Sequence, residues 1–183
     1  VEQEIPEVGD TVLVGMSGGV DSTVTALLLK KRGCTVIGVT MSLWDDNYPK
    51  FASAKEHCFD ANESESIEEC RQFCKEHDIE YHIVDLHEEY KTIVLDYFKT
   101  EYRAGRTPNP CIRCNALMKF SAMLSSIEKL GISYDYFCTG HYAKIVRPTA
   151  GLFGTNKKPY MLAQAKDIAK DQTYFIYRVL SST

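Results

Sequence analysis

Hydrophobic and polar positions alternate between two periods along the chain. Short apolar runs suited to buried strands are followed by stretches with helical spacing. Thr11–Met16 (TVLVGM) is β-branched and uncharged, as expected for a strand buried on both faces. Thr23–Lys31 follows with Val24, Ala26, Leu27 and Leu28 in a helical pattern closed by Gly33. Thr35–Met41 (TVIGVTM) predicts a second buried strand, Glu65–His77 a helix with Ile67, Cys70 and Phe73 or Cys74 inward, and Glu80–Leu86 a third strand. The polar stretch Asp45–Ser64, with Pro49 and no clear period, predicts a long surface loop. Glu88–Gly105 predicts an amphipathic helix with Tyr90, Ile93, Val94, Tyr97 and Phe98 on one side, which the two prolines of Arg106–Pro110 must end. Asn115–Leu130 predicts the next helix, stopped by Gly131, and Tyr134–Thr139 a fourth strand. Ala143–Val146 and Tyr160–Gln164 suit an antiparallel pair, and Asp171–Leu180 reads as a helical tail. Strands alternating with helices predict an α/β fold with a parallel sheet.

A chain of 183 residues suits one domain with a small appendage, and 44% hydrophobic with 25% charged residues is ordinary for a globular protein. No apolar run approaches the roughly 20 residues that span a bilayer. The acidic start, with Glu2, Glu4, Glu7 and Asp10, is no signal peptide, and the chain begins with Val1 rather than Met, so we expect a segment of a longer protein. The net charge of -4 argues weakly against a nucleic-acid partner. Lys99, Arg103, Arg106, Arg113 and Lys119 nevertheless form the most basic stretch, for which a solvated helix face is the plain alternative. Seven cysteines without an export signal favour a cytoplasmic location and reduced thiols. Cys34 and Cys138 suit small hydrophobic packing, whereas Cys70 and Cys74 share a helix face, where a zinc site with His77 is the alternative to packing.

Two segments carry candidate chemistry. Gly15–Ser22 (GMSGGVDS) joins a buried strand to a helix, and its glycines let backbone N–H groups converge where the helix dipole also favours an anion. Ser17 and Ser22 can donate to phosphate oxygens, and Asp21 fits beside phosphate only with a divalent metal such as Mg²⁺. Neither the Walker A nor the G-x-G-x-x-G pattern is present. The run resembles the PP-loop of the ATP pyrophosphatase superfamily, which binds ATP and adenylylates a carbonyl or carboxylate oxygen. Arg106–Phe120 (RTPNPCIRCNALMKF) is the second segment. Its two thiols, Cys111 and Cys114, leave two readings open: a metal pair, or a nucleophile at Cys114 favoured by a helix N-terminus and by Arg113 and Lys119.

Together these segments resemble the tRNA-specific 2-thiouridylases. The likeness extends through MSLW at Met41–Trp44, EYRAGRTPNP at Glu101–Pro110, CN at Cys114–Asn115, KF at Lys119–Phe120, TGHYA at Thr139–Ala143 and KDQTYF at Lys170–Phe175. It implies a Rossmann-like PP-loop (adenine nucleotide alpha hydrolase-like) domain over residues 1–147, with helices on both faces of the sheet. Residues 148–183 would begin a linker and tRNA-binding region. The resemblance further implies that Gly15, Met16, Ser17, Gly18, Gly19, Val20, Asp21, Ser22, Met41 and Gly140 contact ATP, with Asp21 acting alongside Cys114 in catalysis. Asn109, Pro110 and Cys111 would meet the target base, Cys114 would be the nucleophile, and Lys170, Asp171 and Gln172 would touch tRNA. His141 could add a phosphate or base contact, or be an ordinary hydrogen-bonded histidine. The implied partners are tRNA and a persulfide sulfur-donor protein, without a membrane.

Two departures stand out. The family usually has Asp where this chain has Cys111, which draws in an iron–sulfur cluster or a redox role for the pair. The family also carries its persulfide on a second cysteine beyond the KDQ motif, past Thr183, so the chain is expected to bind ATP without completing thiolation. The rivals are a cluster-dependent PP-loop thiolase and a nucleotide-binding module without catalysis.

Overall fold

A computed structural model describes residues 2–3, 5–44, 63–149, 151 and 159–179. The loop expected over Asp45–Ser64 therefore falls almost wholly outside the described residues. In chain order the elements are β1 (Glu2–Gln3), β2 (Thr11–Gly15), α1 (Val20–Arg32), β3 (Thr35–Ser42), α2 (Glu63–Glu76), β4 (Glu80–Asp85) and α3 (His87–Tyr90). A π-helical stretch, Lys91–Leu95, leads to α4 (Asp96–Arg103). Then come α5 (Pro110–Cys114), a second π-helical stretch (Asn115–Ala122), α6 (Met123–Lys129), β5 (Tyr136–Thr139), β6 (Lys144–Arg147), β7 (Met161–Ala163), a 3-10 turn at Ile168–Lys170 and α7 (Thr173–Ile176). The chain divides into two compact units.

The unit formed by Pro6–Lys91 and Ser125–Gly140 holds the parallel sheet, in the order β4-β3-β2-β5. The α/β Rossmann-like expectation holds. In β2 the side chains of Val12, Leu13 and Val14 are all fully buried, which is why the strand reads as an unbroken apolar run. Each contributes about 1.5–3 kcal/mol by leaving water. One face of the sheet, with Val12, Val14, Met16 and Val36, packs with Ala26 and Leu29 of α1 and Cys70 and Cys74 of α2. The residues that alternate with these, Leu13, Ile37 and Val39, are buried as well. Helix α1 turns Ser22, Ala26 and Leu29 inward, while Val24 and Leu28 of the expected apolar stripe are exposed. Cys34 is buried as a small hydrophobe, with its thiol donating to the Glu7 carbonyl, and burial raises the pKa of Cys34, Cys70 and Cys74.

The unit formed by Val1–Ile5, Thr92–Leu124 and His141–Thr183 contains a small antiparallel sheet, β1-β6-β7. The pairing of β6 with β7 matches the expectation, with Ile145 opposite Leu162. Strand β1, which pairs Gln3 with Val146, has too few residues to show a period. Three expectations need correction here. The amphipathic stripe fails at Phe98, which is exposed, because the π-helical Lys91–Leu95 places an extra residue in its turn and rotates everything after it. The helix expected from Asn115 instead begins at Pro110 and widens into the π form at Asn115. Within the expected tail Asp171–Leu180, the described residues form only the four-residue α7, and the 3-10 turn precedes it.

Candidate functional site

In the parallel sheet the first strand in sequence, β2, lies between β3 and β5, so the strand order reverses beside its carboxyl end. Such a switch point opens a crevice at the carboxyl edge. The Gly15–Ser22 loop leaves β2 there. Met16 is pinned on both sides of its residue: its N–H donates to the Val39 carbonyl at 2.8 Å and its carbonyl accepts from Thr40 Oγ1 at 2.9 Å. Gly18 then takes a φ of +78°, and a Cβ on it would press on Ser66 of α2. Gly19 caps α1 and, lacking a side chain, makes no cap hydrogen bond to the first turn of the helix.

The serines divide their work. Ser22 is buried and its Oγ donates to the Gly19 carbonyl at 3.0 Å while accepting from the Ser17 N–H at 3.3 Å. Ser17 is exposed and lies 3.4 Å, oxygen to oxygen, from Ser22. Val20 and Asp21 face outward on the first turn. Gly140, one residue past β5, sits against that turn: a Cβ there would lie 2.8 Å from the Ser22 nitrogen and 3.0 Å from the Asp21 carbonyl carbon. Met41 stands near the carboxyl end of β3, opposite Val84. The loop, Met41 and Gly140 are thus brought to the carboxyl edge of one sheet.

Sequence reasoning missed the groups that support this edge. The Glu63 carboxylate, opening α2, accepts from the Leu43 N–H at 2.6 Å and the Trp44 N–H at 3.1 Å, and so holds the chain just beyond Met41. Behind the loop, the Tyr81 hydroxyl donates to Thr40 Oγ1 at 2.7 Å. None of these contacts has a local sequence signature, since each joins residues far apart in the chain.

The remaining candidates lie in the other unit. Asn109 caps α5, its Oδ1 accepting from the Ile112 N–H at 3.2 Å, with Pro110 in the first turn. Tyr97 braces this segment: its hydroxyl accepts from the Asn109 N–H at 3.4 Å, and the Arg113 guanidinium stacks 4.6 Å from its ring centre. Cys111 is exposed and Cys114 is buried. The expected setting of Cys114 at a helix start is corrected, because it is the fifth residue of the helical run, beyond the turn where the dipole acts. Arg113 is also committed elsewhere, to the Ile93 carbonyl and the Tyr97 ring. The basic stretch is partly neutralised: Arg106 makes a two-pronged pair with Glu101 at 2.7 Å per bond, and Lys99 lies 3.7 Å from Asp96.

Asp171 accepts from the Ala165 N–H at 2.6 Å and the Thr173 hydroxyl at 2.5 Å, and the Thr173 bond is the main reason its carboxyl is held below the usual range. Gln172 pairs with Tyr142 in both directions, each bond 2.9 Å, and Lys170 Nζ lies 5.1 Å from the Tyr142 ring centre. The His141 imidazole is pushed down to about 4, first by burial and then by the charge of Lys119. Among the described residues, no three His, Cys, Asp or Glu side chains gather as a metal site, and no helix is long and apolar enough to cross a membrane.

Comparison with known proteins places these features in context. The tRNA methyl transferase HUP domain profile matches residues 10–183. A tRNA-specific 2-thiouridylase MnmA from Endomicrobium trichonymphae is 44% identical over 94% of this chain and 46% of its own length. Counterparts from Lachnoclostridium phytofermentans and Geobacter metallireducens are each 42% identical, over 92% and 91% of this chain and 44% and 42% of their own lengths. The chain therefore spans less than half the length of these curated relatives.

Proposed function

Because the chain belongs to the tRNA methyl transferase HUP domain family, we propose that it is the ATP-binding part of a tRNA-uridine 2-sulfurtransferase. The observation that carries this reading is the junction of Gly18, Gly19 and Gly140 around the start of α1, where side-chain bulk is excluded and no side chain caps the helix. The relatives named as tRNA-specific 2-thiouridylases supply the substrate class.

In this reading ATP lies along the carboxyl edge of the sheet, its polyphosphate on Gly15–Ser22 and its adenine toward Met41 and Gly140. Ser17 donates to a phosphate oxygen, and the amides at the start of α1 stabilise the charge that grows on the leaving pyrophosphate. The chemistry of the donors fits Mg²⁺ on the polyphosphate: Asp21 is the carboxylate that would hold it, and the ion would offset negative charge. Asn109, Pro110 and Cys111 would frame a flipped wobble uridine, and Lys170, Asp171 and Gln172 would lie toward the tRNA. Uridine O2 attacks the α-phosphate and pyrophosphate leaves. The terminal sulfur of a cysteine persulfide, loaded by a donor protein, attacks carbon 2 and AMP leaves. The Cys114 thiolate then takes the persulfide-bearing sulfur as a disulfide, releasing the thiolated base.

The test is to complement a strain lacking wobble thiolation with the full-length protein, wild type or Cys114→Ser, and to measure tRNA nucleosides by mass spectrometry. Loss of 2-thiouridine in the variant, with tRNA-dependent pyrophosphate release retained, is expected. Continued thiolation by Cys114→Ser would remove that residue from its role.

A further inference from the structure

The sheet carries a buried polar chain that the proposed reaction does not use. Thr40 is buried in the middle of β3, among apolar neighbours where a valine of the same shape would suffice for packing. Its hydroxyl has two partners in sequence: it accepts from the Tyr81 hydroxyl at 2.7 Å and donates to the Met16 carbonyl at 2.9 Å. Aligned hydroxyls of this kind polarise one another, so the last bond of the chain is stronger than an isolated one. Burial pushes the Tyr81 hydroxyl up, so it remains a donor at all ordinary pH values. The chain thus runs from β4 through β3 to the Met16 carbonyl, where the glycine loop begins.

The peptide plane that holds the Met16 carbonyl also holds the Ser17 N–H. Fixing that carbonyl therefore fixes the direction of the Ser17 N–H, which donates to Ser22 Oγ at 3.3 Å and so ties the first turn of α1 to the same peptide. We propose that Thr40 and Tyr81 are positioning residues for polyphosphate recognition, holding the Met16–Ser17 peptide, and through its bond to Ser22 the start of α1, in the arrangement that receives the phosphates of ATP. They touch no substrate and act through the backbone. The inference rests on the assignment of ATP to Gly15–Ser22.

The experiment measures equilibrium binding of Mg-ATP, inorganic pyrophosphate and adenosine to the chain as it stands, for wild type, Thr40→Val, Thr40→Ser and Tyr81→Phe, with a thermal melt for each. Losing a buried bond that orients the loop should weaken ATP and pyrophosphate by roughly tenfold in Thr40→Val. Adenosine binding should hold within twofold, roughly the scatter of such comparisons. Thr40→Ser, which keeps the hydroxyl, should restore ATP binding. Tyr81→Phe, which leaves Thr40 able to donate, should lose about threefold and serves if Thr40→Val does not fold. Equal losses for ATP and adenosine, or unchanged pyrophosphate binding in both Thr40→Val and Tyr81→Phe, would overturn the proposal. Wild-type protein that binds neither ATP nor pyrophosphate would instead overturn the ATP assignment, and the proposal with it.

Discussion

Gly140→Ala offers the sharpest test of the nucleotide loop. Gly140 is not one of the glycines with positive φ, so its backbone conformation is open to any residue and only space is at issue. The added methyl would stand 2.8 Å from the Ser22 nitrogen and 3.0 Å from the Asp21 carbonyl carbon. Comfortable contacts lie near 3.5 Å, so about 0.7 Å must open between the end of β5 and the first turn of α1. Both obstacles are backbone atoms, and no rotamer change relieves them. Overpacking of this kind costs about 1–3 kcal/mol. If the cost falls on the geometry that binds ATP, affinity drops by roughly 5- to 150-fold. Gly131→Ala is the control: its φ is +77° and nothing lies within 4 Å of the added carbon. That substitution should cost about 1–2 kcal/mol in backbone strain and leave ATP affinity unchanged. Mg-ATP titration and thermal melts of both variants decide the matter. Wild-type affinity in Gly140→Ala would refute the idea that Gly140 shapes the site.

Two further outcomes follow from the other unit. His141 is held neutral, with its imidazole lowered from the usual 6.5 to about 4, so its contribution to stability is complete above pH 6.5 and lost as the pH falls toward 4. Urea melts should show a decline over that window of at most roughly 3 kcal/mol, and His141→Gln should flatten it; an unchanged slope in the variant would contradict the burial argument. Gln172→Ala removes the side-chain half of the two-way pairing with Tyr142 and should lower the melting temperature by a few degrees, for about 1 kcal/mol. Amide exchange at Tyr142 should rise in that variant, and unaltered protection there would oppose the assignment.

The parts of the fold that were legible in the sequence are those set by local pattern. Strands β2 and β3 stood out because burial on both faces demands unbroken apolar runs, and Cys70 and Cys74 showed their shared face through their spacing. The glycine loop announced itself because a strand-to-helix turn around an anion needs residues without Cβ atoms. Gly140 was matched through resemblance, while the physical reason for a glycine, close approach of the Ser22 backbone, emerges only in three dimensions. Pro110 reads locally as a helix breaker, although an Asn-Pro pair also forms the natural opening of a helix, with Asn109 as cap. The π-helical stretches had no sequence signature and shifted the phase of the residues that follow. Glu63, Thr40 and Tyr81 were silent because their partners lie in other elements. The motif Lys170–Gln172 read as a surface for tRNA, yet Asp171 and Gln172 spend their side chains on their own unit.

The two compact units exchange the chain at Ile5–Pro6, Lys91–Thr92, Leu124–Ser125 and Gly140–His141. No single cut, by a protease or by a shortened gene, can release either one whole. A truncation after residue 140 would keep every segment of the parallel-sheet unit, the Gly15–Ser22 loop included, while stripping the other of β6 and β7, so deletion can isolate only the first and Asn109–Cys114 must be dissected by point substitution.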